Sequence, residues 1–354
     1  MKTIKKVILL LILSVLTVCC NNGDSKVVKI GVVSPMTGAG AACVDYWVNG
    51  FNMAIEKINA ENNEVKYEMI FEDCQSDPAT AVSCYKRLEM QGVKYIVGLG
   101  GQFAMAIAPM TKGKDIIYFT TADYNEKVLE TTDCAFRVYP SAKALGKITS
   151  DFFVNNLGIN EVATITMNTV PCLQTTNAFR DNIKVLGGNV TFQDTYDIGS
   201  YDFKNTISKM QNDMFGGIFM NGFGISPAAF CAQIANNNKF DGLTFIGDVN
   251  LSTKNFINNK KNDKLKIYFA DAKMSDAFEM KYQQRYNEKA NSYAGCAYLI
   301  PFIIDKARNS VEDVNNISQQ RDFLRGQKIE TEVTCISFDN KGNGEMEMAI
   351  QELQ

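Results

Sequence analysis

Any chemistry in this chain has to be done without imidazole, because its 354 residues include no histidine. That removes Ser-His and Cys-His nucleophile pairs, a histidine general base and every zinc site that needs a histidine ligand. Two cysteines adjoin at Cys19-Cys20, and eight follow: Cys43, Cys74, Cys84, Cys134, Cys172, Cys231, Cys296 and Cys335. None forms the paired Cys-x-x-Cys knuckles of a thiolate metal site, so no metal and no cofactor are expected. An even number in an exported chain is compatible with disulfides, and Cys74 with Cys84 is the candidate pair closest in sequence. Cys231, Cys296 and Cys335 lie in apolar surroundings and read equally well as small buried hydrophobes. Carboxylate, lysine and tyrosine chemistry stays open in principle, but nothing in the sequence arranges it into a reaction. Binding without turnover is the expectation, so the chain is not expected to be an enzyme. A net charge of -3 with no basic stripe argues against nucleic acid as a partner.

What such a chain binds with has to be held at the ends of its strands. Val27 to Val33 reads as a buried strand, Ser34-Pro35-Met36-Thr37-Gly38-Ala39-Gly40 as the loop at its carboxyl end, and Tyr46 to Asn59 as a helix returning over the sheet. In open α/β sheets such loops form the ligand crevice. This one is rich in small residues but has neither the spacing nor the lysine of a phosphate cradle, which points to some other small polar molecule. Trp47 falls on the helix stripe with Phe51, Ala54, Ile55 and Ile58 and is expected in the core.

The alternation then continues. Strands are expected at Tyr67 to Phe71, Tyr95 to Gly98 and Ile116 to Thr120, with helices at Ala79 to Met90 and Phe103 to Thr111 between them. A second series runs from a strand at Glu161 to Met167 through a helix at Leu173 to Leu186 and strands at Val190 to Asp197, Gly217 to Met220, Thr244 to Gly247 and Lys266 to Ala270. The fold class is therefore α/β, with two Rossmann-like lobes of parallel sheet. The long apolar helix from Tyr293 to Ala307 is placed back in the first lobe. The closing strands around Cys335 to Phe338 and Glu345 to Ile350 are placed in the second. Lobe 1 is expected to comprise 27–139 plus 272–327 and lobe 2 140–271 plus 328–354, joined by a hinge that the chain crosses three times.

Ahead of the first strand, Lys2, Lys5 and Lys6 precede an uncharged apolar run from Val7 to Val18, too short to span a bilayer comfortably. Residues 1–20 read as an export signal, so the mature protein is expected in the periplasm or at the cell surface. With Cys19-Cys20 and the polar tether 21–26, the segment resembles a bacterial lipoprotein signal. That resemblance implies lipidation of Cys20 (or Cys19) and attachment to the membrane, with ordinary cleavage as the alternative.

Several ordered motifs carry a family resemblance. Ile30-Gly31-Val32-Val33-Ser34-Pro35-Met36-Thr37-Gly38, Asn49-Gly50-Phe51-Asn52-Met53-Ala54, Glu72-Asp73-Cys74-Gln75-Ser76-Asp77-Pro78-Ala79, Phe136-Arg137-Val138 and Phe338-Asp339-Asn340-Lys341-Gly342 look like the branched-chain amino-acid type of periplasmic solute-binding protein. The resemblance implies a type 1 periplasmic binding fold, an ABC permease as partner, and a small amino acid or related carboxylate as ligand. It also implies where the ligand sits. Its carboxylate would meet Gly101, Gln102 and Phe103 after one strand and Thr121, Ala122 and Tyr124 after the next, where amides at helix starts favour an anion. Its amino group would meet Asp248, with Asn250 and Tyr139 as further candidates; the family's other two positions read Ala142 and Pro171 here. Asp248 could instead cap the turn that follows it. Cys43 stands where the family often has an aromatic that touches the ligand. A sensory module using the same clamp is the rival function.

Overall fold

The computed structural model describes residues 26–38, 40–61, 64–235, 237–261 and 264–353. The export segment and the lipidation candidates Cys19 and Cys20 lie outside the described residues.

The first series begins with β1 (Lys26–Ser34), α1 (Val44–Glu61), β2 (Val65–Asp73), α2 (Pro78–Met90) and β3 (Tyr95–Leu99). It continues through α3 (Gly101–Thr111), β4 (Ile117–Thr121), the short α4 (Val128–Thr131) and β5 (Ala135–Arg137). The five strands pair in parallel in the order β2-β1-β3-β4-β5. Every residue of β3 and β4 is buried, as a sheet covered on both faces requires. On α1 the buried set Tyr46, Trp47, Gly50, Phe51, Ala54 and Ile58 recurs at helical spacing.

The second series runs α5 (Ala142–Asp151), β6 (Glu161–Met167), α6 (Val170–Val185), β7 (Asn189–Tyr196), α7 (Lys204–Met210) and β8 (Gly217–Asn221). It goes on through α8 (Ser226–Ile234), β9 (Thr244–Asp248), α9 (Lys254–Asn259) and β10 (Lys266–Ala272). Then come α10 (Asp276–Tyr286), α11 (Ser292–Asn309), α12 (Ile317–Leu324), β11 (Lys328–Glu330), β12 (Cys335–Phe338), β13 (Gly344–Met346) and β14 (Met348–Glu352). The second sheet has the order β14-β10-β9-β8-β6-β7, parallel except for β14, which runs antiparallel beside β10. In both sheets the order reverses beside the first strand, between β1 and β3 and between β6 and β8. A crevice opens at such a switch point.

Helix α11 returns to lobe 1, where it lies against α1 so closely that a Cβ on Gly50 would stand 2.2 Å from the Ala294 carbonyl oxygen. The closing strands correct the expected boundary. β11, β12 and β13 form a separate antiparallel sheet whose Ile329, Ile336 and Phe338 join the lobe 1 core with Phe136 and Tyr298. The Phe136 and Phe338 rings meet edge to face at 5.4 Å. The expected strand from Glu345 to Ile350 is therefore two strands in two sheets, and the chain re-enters lobe 2 at β14 rather than at residue 328. The small sheet buries these apolar side chains against β5 and α11, and that burial outweighs the continuity of the chain.

Three crossings join the lobes: after β5, after β10, and between β13 and β14. They lie side by side, with the Arg137 amide donating to the Gly342 carbonyl at 2.9 Å and the Lys273 amide to the Glu347 carbonyl at 2.8 Å. Arg137 is fully buried at this junction. Its guanidinium donates to the carbonyls of Tyr139 (2.6 Å), Pro140 (2.7 Å) and Asp123 (3.2 Å) and to Asn343 Oδ1 (2.8 Å from Nε). One side chain thus ties the first crossing to the third.

The candidate disulfide is not formed. All eight cysteines among the described residues are free thiols, and Cys74 and Cys84 are buried within the lobe 1 core. The Cys84 thiol lies 3.3 Å from the Asp73 carbonyl. Among the described residues no helix is long and apolar enough to cross a membrane.

Candidate functional site

The carboxyl ends of the two sheets face each other, and the loops leaving them touch. On the lobe 1 side, β3 ends at Leu99 and Gly100 turns into α3 with a φ of 90°, its amide donating to the Thr121 carbonyl at 3.1 Å. No side chain caps this helix in the usual position. After β4, Ala122 takes a left-handed φ of 54°, uncommon for a residue with a Cβ, and the turn carries Asp123 over the start of α3. A Cβ on Gly101 would stand 2.4 Å from Asp123 Oδ1 and 3.3 Å from Pro171 Cγ of the other lobe. Only glycine leaves room for both. The Asp123 carboxylate accepts the Asn125 amide at 2.8 Å and the Thr120 hydroxyl at 3.2 Å. Burial pushes its pKa up to about 6, against the nearby Arg137 guanidinium and the hydrogen bonds, which pull it down.

The residues expected to meet a carboxylate lie in different surroundings. Phe103 packs in the lobe 1 core with Val33 and Ile96, and its amide closes the turn onto the Gly100 carbonyl at 3.1 Å. The Thr121 hydroxyl is turned to the Val138 carbonyl at 2.9 Å, bracing the first crossing. Gln102 is exposed and Ala122 packs partly against the core. Of the expected set, Gly101 and Tyr124 face the other lobe.

On the lobe 2 side Asp248 ends β9 and is buried. Its Oδ1 accepts the Asn250 backbone amide at 3.0 Å, and the Asn250 side-chain amide donates to both carboxylate oxygens at 2.9 and 3.0 Å. The capping role weighed from sequence is therefore present. A second role accompanies it, since the Tyr124 hydroxyl of lobe 1 donates to Asp248 Oδ2 at 3.3 Å. Tyr293, at the start of α11 in lobe 1, donates to Asn250 Oδ1 at 3.0 Å. Burial pushes the Asp248 pKa up to about 6 although Asn250 and Tyr124 stabilise its charge.

Aromatic rings line this acid. Tyr124 meets Tyr139 edge to face at 5.0 Å, Tyr139 stacks on Tyr293 at 6.2 Å with planes 6° apart, and Trp47 stands edge-on to Tyr293 at 5.5 Å. The Tyr139 hydroxyl accepts the Ser292 hydroxyl at 3.4 Å. Cys43 lies beside Asp248 and Tyr293, and its thiol, pushed up to about 12 by burial and by the Asp248 charge, stays protonated. Two lobe-to-lobe contacts flank the cluster: Gln174 to Asn125 at 3.4 Å, and the Lys254 ammonium to the buried Glu288 at 3.0 Å. Trp47 is buried with the core, as expected, but its Nε1 has no hydrogen-bond partner, nor has the buried Ser34 hydroxyl at the end of β1. Orphaned buried groups are uncommon and call for a partner.

Sequence reasoning brought together Asp248, Asn250, Tyr139, Tyr124, Cys43 and Gly101. It missed Asp123, which one-dimensional pattern marks only as a turn residue, and Tyr293, which reads as one more apolar position of a buried helix. Among the described residues no three histidine, cysteine or carboxylate groups gather as a metal site.

The family model described as periplasmic binding protein matches residues 27–354. The chain is 22% identical over 339 residues to the Leu/Ile/Val-binding protein of Citrobacter freundii, covering 91% of this chain and 89% of that one. It is 23% identical over 344 residues to the Leu/Ile/Val/Thr-binding protein of Salmonella typhimurium, covering 89% and 88%. The fold matches the branched-chain amino acid transporter substrate-binding protein of Streptococcus pneumoniae in complex with isoleucine, with a TM-score of 0.81, 21% identity, and 92% and 95% of the two chains covered. It also matches an ABC transporter solute-binding protein of Rhodopseudomonas palustris in complex with p-hydroxybenzoic acid, with a TM-score of 0.83, 17% identity and 93% of each chain covered. With two lobes joined by three crossings and meeting at both switch points, the chain belongs to the periplasmic binding protein family, of the type represented by the Leu/Ile/Val-binding proteins.

Proposed function

We propose that this protein is the extracytoplasmic solute-binding component of an ABC importer, closing its lobes by hinge motion on a small polar molecule that bears an amino group, the class to which amino acids belong. One observation carries this reading: a buried carboxylate, Asp248, reached from the opposite lobe by Tyr124 and backed through Asn250 by Tyr293, with only neutral donors around it. Such a charge is costly until a cation meets it. A ligand held on Asp248 would bind both lobes at once and draw the population toward the closed form that a permease recognises. In this reading the ligand is bound and released without reaction. The proposed location is periplasmic or at the cell surface, with a lipid on Cys20 or Cys19 holding the protein near its permease.

The test is calorimetry on the mature protein against amino acids and amines, with scattering to follow closure. Asp248→Ala is expected to weaken any amine-bearing ligand by about 1 to 3 kcal/mol, the cost of leaving a buried charged donor unpaired. Unchanged affinity removes Asp248 from the site.

A further inference from the structure

The amino ends of the lobe 1 strands, opposite the cleft, carry a basic face. A depression of about 380 Å³ opens there, between the start of β1 and the turn that leads into β3, lined by Lys26, Lys29, Lys94 and Arg308. Arg308, near the end of α11, is buried, yet no carboxylate answers it: its Nη1 donates to the Tyr95 hydroxyl at 3.1 Å, and it makes no ion pair among the described residues. Asp305, one turn earlier on the helix, accepts the Tyr67 hydroxyl at 2.8 Å instead. Lys26 and Lys29 are exposed and likewise unpaired among the described residues. Of the four charges only Lys94 meets an acid, Asp115, at 2.8 Å. A buried guanidinium without a counter-charge is costly until an anion approaches it.

Chain length says what lies beside this face. Lys26, on its rim, is six positions from Cys20, and six residues of backbone span at most about 20 Å whatever path they take. With a lipid on Cys20 the depression is held within that reach of a bilayer. The cleft stands at the other end of β1, whose nine residues extend roughly 30 Å. Val27, 53% exposed between the two lysines, adds an apolar side chain at the same place. Basic groups held this near a bilayer are drawn to its acidic headgroups.

We infer that lobe 1 rests on acidic phospholipid through this face, a headgroup phosphate meeting Arg308, Lys26 and Lys29, with the cleft held away from the bilayer. The inference rests on the lipid anchor proposed above and adds a second contact, which sets orientation where an acyl chain sets only distance. Solute is then captured in this pose, and the protein lifts from the lipid to bring it to a permease.

Vesicle sedimentation tests this on the mature chain, residues 21–354, made without an acyl group. General attraction to an acidic surface is not expected, since the net charge is -3 even before Lys2, Lys5 and Lys6 leave with the export segment. Binding is expected to vesicles of phosphatidylglycerol mixed into phosphatidylcholine and not to phosphatidylcholine alone. It is expected to weaken as salt rises from about 0.01 to 0.15 M and the screening length falls from about 30 to 8 Å. Lys26→Gln/Lys29→Gln, at exposed positions, is expected to weaken it at least about fivefold, and Lys204→Gln/Lys209→Gln on lobe 2 to leave it unchanged. Equal loss from both pairs, or loss from neither, overturns the inference, as does the absence of binding to the acidic vesicles. Glycerol 3-phosphate is titrated alongside: saturable binding of this free phosphate without vesicle binding assigns the depression to a soluble anion and also overturns it. The anchor is decided separately, by whether the full chain incorporates labelled fatty acid in cells and loses it in Cys19→Ser/Cys20→Ser, an outcome that stands whatever the vesicles show.

Discussion

Asp248 carries a conflict between stability and function that can be measured. Its folded pKa of about 6 lies above the ordinary 3.8, so its burial costs nothing below about pH 4, where the carboxyl is protonated in either state. The cost grows as pH rises through 6. Asp248→Asn is therefore expected to stabilise the unliganded protein by roughly 1 to 3 kcal/mol at pH 7, with the gain vanishing near pH 4; thermal denaturation across that range checks it, and a variant less stable at pH 7 contradicts it. Arg137 poses the opposite case. Arg137→Met would leave the Tyr139 and Pro140 carbonyls unpaired in the core and Asp123 without its counter-charge. A loss of about 3 to 5 kcal/mol is expected in urea unfolding. Lysine would not rescue it, because a point charge cannot reach acceptors that a planar fork spans. Asp248 was named from sequence as a ligand contact or a cap, but the role of Arg137 was not legible: Phe136-Arg137-Val138 was a motif, and its hinge position emerges only where β5 meets the bridge residue Asn343.

Elements with a strong period were legible, and those with a weak one were not. Helix α1 announces itself by its apolar stripe and was placed within two residues at each end. Helix α10 buries only Phe278 and Tyr282 along its length, too few apolar marks to stand out from a loop. Of the small sheet, β12 and most of β13 were expected as strands and β11 was not, and all three were given to the other lobe, because short strands carry no label for the core that will cover them. The contact of α1 with α11 depends on Gly50, which no periodicity singles out. Gly50→Ala places a methyl where the Ala294 carbonyl stands and is expected to cost about 1 to 3 kcal/mol by forcing the helices apart. Equilibrium unfolding with an unchanged m-value would locate the effect in the folded state.

For the whole molecule, stability comes from two packed lobes without covalent staples among the described residues. The melting temperature is accordingly expected not to respond to reductant. A bridge would instead show as a drop of several degrees, given the roughly 2 to 5 kcal/mol a native disulfide supplies. The sequence by itself determined the α/β class, the two-lobed plan and the exclusion of histidine chemistry. All of these follow from residue type and local period, which encode burial along the chain. Only the tertiary structure decided which acids confront which rings, that Asp123 stands beside Gly101, and that Tyr124 reaches Asp248 from 124 positions away. Those pairings depend on how two separately folded lobes meet across three crossings, and periodicity within either lobe carries no information about that meeting.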